Sequence, residues 1–444
     1  MLRTLLLLFL VFPFLSNGQS NTSQGIPSEE QIIVSTDISN FWKAFDGIDN
    51  LEDSVQQLDY LNSVFIDKAS KGQKRMMEAR GYTPEEYLKS ILTKKQFWNS
   101  IRKNTEDLEP FNKAIMNGMA QLKEVYPSLK PSTIYYTMGN HRSPGTGVDD
   151  MVLLGTEFAL GDLTTVTSEL PEHLQNYYKI NPVDHLSFSC VHEYVHTQQQ
   201  PMVHNLLSLT LYEGIAEFVA IKATGQSSPW KAFITGPENE ERIKLRIEAD
   251  MFNPNSIYNW LWNSPKNEFE TSDLGYFVGY QIANRYYDAS ADKKAAIKTL
   301  IELDYEDEPA VEAMVNSTLY FSDSLEELYN RYESKRPKVV SITEFKTGSE
   351  SVDPNLKVIT LNFSMPMDTE TRGFEFGPLG EENVLMVKNV IGFSEDKKSF
   401  SFEVELKENR RYQSYASRRF QSESGYPLKP FLIDFTTGEN KIEI

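Results

Sequence analysis

The chain has 444 residues, a formal net charge of −19 and a single cysteine. That length calls for two or three folded units, and a charged fraction of 24% with 40% hydrophobic residues fits chains that fold. The acidic balance excludes a nucleic-acid binder, which needs clustered Lys and Arg, and favours a solvated, monomeric surface. One cysteine, Cys190, rules out an intramolecular disulfide, so cores and any bound metal must hold the chain together.

Met1-Leu2-Arg3-Thr4, an apolar run from Leu5 to Leu15 and a small-residue site near Gly18 follow the pattern of a secretory signal over 1–18. The run is shorter than the roughly 20 residues of a membrane-spanning helix. The expected location is therefore secreted, periplasmic or cell-surface. No cysteine near that site suggests a lipid anchor, and no transmembrane segment is expected in the mature chain.

A polar lead-in, Ser20 to Glu30, precedes a helical region assigned to 19–130. Thr83-Pro84-Glu85-Glu86 is a helix start, with Thr83 as cap, Pro84 first in the helix and Glu86 able to bond back to the cap. Phe97 to Tyr126 has apolar residues at helical spacing. A core unit is assigned to 131–335. It opens with strands at Thr133–Thr137 and Met151–Gly155, separated by a loop marked by Gly139, Pro144, Gly145 and Gly147, and is otherwise helical from Pro182 to Tyr332. Beyond Pro337 the periodicity becomes two, and strand-like runs at 339–345, 357–363, 399–406 and 431–435 predict a β-sandwich over 337–444. The fold class expected is α+β.

His192-Glu193-Tyr194-Val195-His196 carries the chemistry. Two histidines four apart on a helix lie one turn apart on one face and can reach one metal ion, with Glu193 placed to act as general base on a metal-bound water. Leu186, Phe188, Val191 and Val195 supply a separate apolar face. A third histidine at metzincin spacing is absent, since Gln199 and Met202 stand there. Downstream, Glu213 and Glu217 sit one turn apart in a helix running from Asn205 to about Thr224 that is otherwise apolar, where carboxylates are costly unless paired or metal-bound.

His192 to His196 followed by Glu213-Gly214-Ile215-Ala216 resembles the gluzincin clan of metallopeptidases, in the style of its aminopeptidase N branch and of secreted bacterial relatives. The resemblance implies one Zn2+ per chain held by His192, His196 and Glu213, with Glu217 orienting a zinc-bound histidine. The reverse assignment, Glu217 as ligand and Glu213 as support, stays open. The segment Asp273 to Tyr280 resembles the stretch whose tyrosine stabilises an oxyanion, making Tyr276 the candidate and Tyr280 its backup. No segment resembles the amine-binding motif of aminopeptidases, so the activity implied is that of an endopeptidase acting on a peptide or protein substrate. In zincins an edge strand ahead of the metal helix pairs with extended substrate, a role that would fall to Met151–Gly155. Val358 to Asp368 resembles bacterial Ig-like domains. The rival expectation is a non-catalytic or latent surface binding or scaffold protein on the same fold. Cys190 is expected to pack, and His141, His173, His185 and His204 are unassigned.

Overall fold

The computed structural model describes residues 33–262 and 267–439. The expected secretory signal and the polar lead-in lie outside them. The architecture is α+β, with a C-terminal part made mostly of strands, as expected. By its internal contacts the chain divides into one unit of residues up to Glu106 plus Pro131–Leu174, and another of Asp107–Lys130 plus Gln175 onward.

In the first unit a short strand β1 (Ile33–Val34) leads into α1 (Thr36–Ile48), α2 (Ser54–Leu61), α3 (Lys71–Arg80), α4 (Pro84–Thr93) and α5 (Lys95–Glu106). Thr83 and Glu86 form the reciprocal cap at the start of α4 that their spacing predicts. Phe41, Phe65, Tyr87 and Trp98 are fully buried and pack ring against ring, the main apolar content of this unit. Against the helices lies a sheet of β1, β2 (Thr133–Thr137), β3 (Gly145–Val148) and β4 (Met151–Gly155), in the order β1-β2-β4-β3.

That order corrects the edge-strand expectation. Strand β4 pairs in parallel with β2 and antiparallel with β3, and all five of its residues are buried. Its backbone hydrogen-bonding groups face strands on both sides, so no extended peptide can add to it. The glycine-marked loop before it contains the edge strand β3. A four-residue helix, α7 (Thr156–Ala159), follows β4 directly and carries the buried Glu157.

The second unit contains α6 (Glu109–Val125), the end of α8 (Glu172–Tyr178), α9 (Leu186–His196), α10 (Leu206–Thr224), α11 (Ala232–Asp250), α12 (Ile257–Trp260), α13 (Leu274–Ala289), α14 (Lys293–Ile301), α15 (Glu308–Ser317) and α16 (Leu325–Lys335). Helix α10 is buried on nearly every side, as an all-round apolar sequence demands. Asn205 caps it by accepting from the Ser208 amide, and Gly225, with φ of 70°, ends it in the left-handed conformation. Its closest neighbour is α13. There Gly214 faces Gly279, and a Cβ on either would overlap the other helix's backbone, so the two glycines set how closely the helices approach. Helices α6 and α9 pack on α10 from other sides.

The chain then forms two four-stranded sheets. One has the order β5-β7-β10-β9, from β5 (Val339–Ile342), β7 (Val358–Phe363), β9 (Val387–Phe393) and β10 (Ser399–Val404). The other has the order β6-β12-β11-β8, from β6 (Ser349–Val352), β8 (Phe374–Phe376), β11 (Arg411–Ala416) and β12 (Phe431–Thr437). Ile359, Leu361, Phe363, Phe400, Phe402, Ile433 and Phe435 alternate inward along their strands into one shared core. No helix among the described residues is long and apolar enough to cross a membrane.

Candidate metal centre

The left-handed Asn181 and a 3-10 turn over Pro182–His185 lead into α9, whose register puts Leu186, Phe188, Val191 and Val195 into the core. The same register leaves His192 and His196 on one face, one turn apart. The neighbouring helix α10 brings Glu213 and Glu217 towards them. His192 Nε2 lies 3.1 Å from His196 Nε2, and Glu213 Oε2 lies 3.5 Å from the first and 3.2 Å from the second.

Those separations come close to what one shared ion would require. Bonds of about 2.0–2.2 Å at a tetrahedral ion place its ligand atoms roughly 3.3–3.6 Å apart. Among the described residues, His192, His196 and Glu213 form the group whose donor atoms converge closely enough to share one ion. The three side chains are nearly closed to solvent, so a negative Glu213 there requires a positive partner. Burial alone would raise the Glu213 carboxyl, but the two imidazoles beside it hold it well below the usual carboxylate range. His192 goes the other way: burial opposes its charge, yet Glu213 and Glu217 raise it well above the ordinary histidine value.

Of the two carboxylates, it is Glu213 that meets both Nε2 atoms. Glu217 is fully buried, and its Oε2 lies 2.8 Å from His192 Nδ1 on the far side of the ring, close in distance but poorly aligned for a hydrogen bond. From there a carboxylate could orient the imidazole.

Glu193 follows His192 on α9, is partly buried, and makes no hydrogen bond or ion pair among the described residues. The Tyr276 ring stacks on His192 with centroids 6.0 Å apart and planes 15° apart, and burial pushes its phenol well above the ordinary value. Tyr280 instead packs its ring on Phe218 and Phe233, and burial also raises it. Cys190 is fully buried and packs, as expected. His141 belongs to the first unit, where it is buried between Phe97, Trp98 and Phe158.

Sequence reasoning missed three residues. Gln199 Oε1 lies 2.7 Å from His196 Nδ1, the Tyr212 ring stacks on His196 at 4.4 Å and 8°, and the Tyr305 hydroxyl lies 3.5 Å from Gln199 Nε2. Tyr212 precedes Glu213 and could have been noticed on that ground. Gln199 and Tyr305 carry no motif.

Two histidines and one glutamate, carried by two packed helices, thus bring donor atoms within reach of one ion. A family model described as "Gliding motility protein GldB" matches residues 22–232, a little under half of the chain and a span that includes both histidines and Glu213. No curated protein matches. Among solved structures, the S-layer protein SbsC is similar at 11% identity over 74% of this chain and 46% of that one, with a TM-score of 0.18. A second SbsC structure, of domains 1–6, gives 13%, 73%, 45% and 0.18. This chain thus spans less than half of those structures, and a TM-score that low leaves no shared fold to argue from.

The family match corrects the resemblance to gluzincin peptidases and with it the assignment as a secreted hydrolase. The family model that spans His192, His196 and Glu213 is one of gliding motility. The physical reason is the reach of the motif itself. His192, His196 and Glu213 specify a donor set, and a donor set fixes what an ion binds to without fixing a reaction.

Proposed function

We propose that this chain is a non-catalytic binding or scaffold protein of the cell envelope that serves surface motility. The observation carrying this reading is the gliding-motility family match across residues 22–232, which takes in the metal motif. The envelope location draws on the same match and on the signal-like start of the sequence.

Within that reading His192, His196 and Glu213 hold one divalent ion of the zinc type. Imidazole nitrogens and a carboxylate oxygen suit zinc, and their donor atoms lie close enough together to share one ion. When bound, the ion supplies a cationic cross-link between α9 and α10 that neutralises Glu213. The chain's own residues do the rest: Glu217 backs His192, Tyr212 and Tyr276 wall the two imidazoles, and Gly214 and Gly279 let α13 close on α10. The sandwich adds a second folded surface for contact with a partner.

The test is deletion of the gene in gliding cells that carry it, followed by complementation. Loss of gliding restored by the full-length chain supports the reading. Undiminished gliding in the deletion strain overturns it.

A further inference from the structure

Gln199 lies just beyond the end of α9, three residues after His196, and its amide bridges the two elements that carry the metal donors. Its Nε2 donates to the Tyr212 carbonyl at 2.9 Å, and its Oε1 lies 2.7 Å from His196 Nδ1. These two contacts fix the amide's orientation. A backbone carbonyl only accepts, so the amide nitrogen must face Tyr212 and the amide oxygen must face His196. That oxygen also only accepts, so His196 Nδ1 must carry the proton. A neutral imidazole has one N–H, and the lone pair is left on Nε2, the atom that points at His192 Nε2 and Glu213 Oε2.

We propose that Gln199 is a positioning residue of the metal centre: it locks His196 as the Nδ1–H tautomer and so presents Nε2 to the ion. The inference rests on the metal reading given above. Gln199 holds the ring's rotation while Tyr212, stacked at 8°, holds its plane. The two histidines are therefore backed differently, His196 by a neutral amide and His192 by the Glu217 carboxylate. A neutral acceptor fixes the tautomer without adding a third carboxylate to a buried site that already holds Glu213 and Glu217.

A purely structural role, tying the end of α9 to α10 through the Tyr212 carbonyl, is separable from this one. Gln199→Glu keeps an acceptor for Nδ1–H and loses the donor to Tyr212. Gln199→Leu loses both. Zinc affinity of the full chain is measured by chelator competition at pH 8, together with histidine ring 15N spectra of the zinc-free protein. The expected result is that Gln199→Leu weakens zinc binding by about 10–100-fold, while Gln199→Glu stays within about threefold of wild type, by the same tautomer argument. Equal losses in both variants, or none in Gln199→Leu, overturn the proposal. If wild type binds no zinc, the metal reading fails, and the 15N spectra still decide this one. Nδ1–H at His196 in wild type and its loss in Gln199→Leu support it, and a tautomer that does not depend on residue 199 overturns it.

Discussion

Glu157 is a carboxylic acid whose ionisation the fold penalises strongly. It sits on α7, fully buried, and its two carboxylate oxygens accept from the backbone amides of Gly139 at 2.8 Å and His141 at 3.1 Å. A Cβ at Gly139 would run into that carboxylate, so the glycine is what lets the β2–β3 connection close over it. Burial pushes the Glu157 carboxyl from 4.5 up to about 7, outweighing those two amides and the Lys94 ammonium, which favour the charged form. Between these values the folded chain keeps a proton that the unfolded chain has lost. Stability from this group is therefore fully present below pH 4.5 and is lost as pH rises through about 7. A shift of that size amounts to about 3 kcal/mol. Hydrogen exchange across residues 133–160, corrected for the intrinsic rate, should show protection falling by about two orders of magnitude between pH 5 and pH 8. In Glu157→Gln that pH dependence should vanish. The variant should also be less protected at pH 5 by about 1–3 kcal/mol, because an amide NH2 now meets one of the two backbone donors. Parallel pH profiles for wild type and Glu157→Gln would refute the reasoning.

Elemental analysis of the full chain should give about one zinc per molecule, retained by Glu193→Gln and lost or sharply reduced in Glu213→Gln. Glu217→Gln should keep the zinc but bind it about 10–100-fold more weakly, read by chelator competition, because His192 loses the charged group behind its ring. Gly279→Ala should destabilise the second unit by about 3 kcal/mol or more in a denaturant titration, since the added methyl overlaps the Thr210 carbonyl and Gly214 on α10. A fully accommodated alanine there would show that the two glycines do not set the approach of α10 and α13.

Much of the site was legible because its spacing is local. His192 and His196 had to share a face once α9 was a helix, and Glu213 and Glu217 stood out as carboxylates in an apolar helix. The choice between those two as ligand was a tertiary question, and it is Glu213 that reaches both Nε2 atoms. Gln199 was invisible because its role depends on a turn after α9 and on the Tyr212 carbonyl across the helix pair. Strand β3 reads as loop because Pro144, Gly145 and Gly147 are turn residues, yet an edge strand tolerates them. The edge role expected of β4 came from the resemblance to zincins, and β3 is what fills that edge. In the sandwich, β7, β10 and β12 were legible from apolar alternation, whereas β11, Arg411–Ala416, carries polar residues on inward positions and gave no such signal. The peptidase reading failed at a different level. A short motif was allowed to stand for a reaction, and the match across 22–232 carries a different name.

The most direct test of the account is complementation of a gliding-deficient deletion strain by Glu193→Gln. This substitution removes the one carboxylate suited to activate a metal-bound water and leaves His192, His196 and Glu213 in place. A binding or scaffold role predicts gliding restored to the wild-type level. Failure to restore gliding by a Glu193→Gln protein that is folded, exported and zinc-loaded would contradict it.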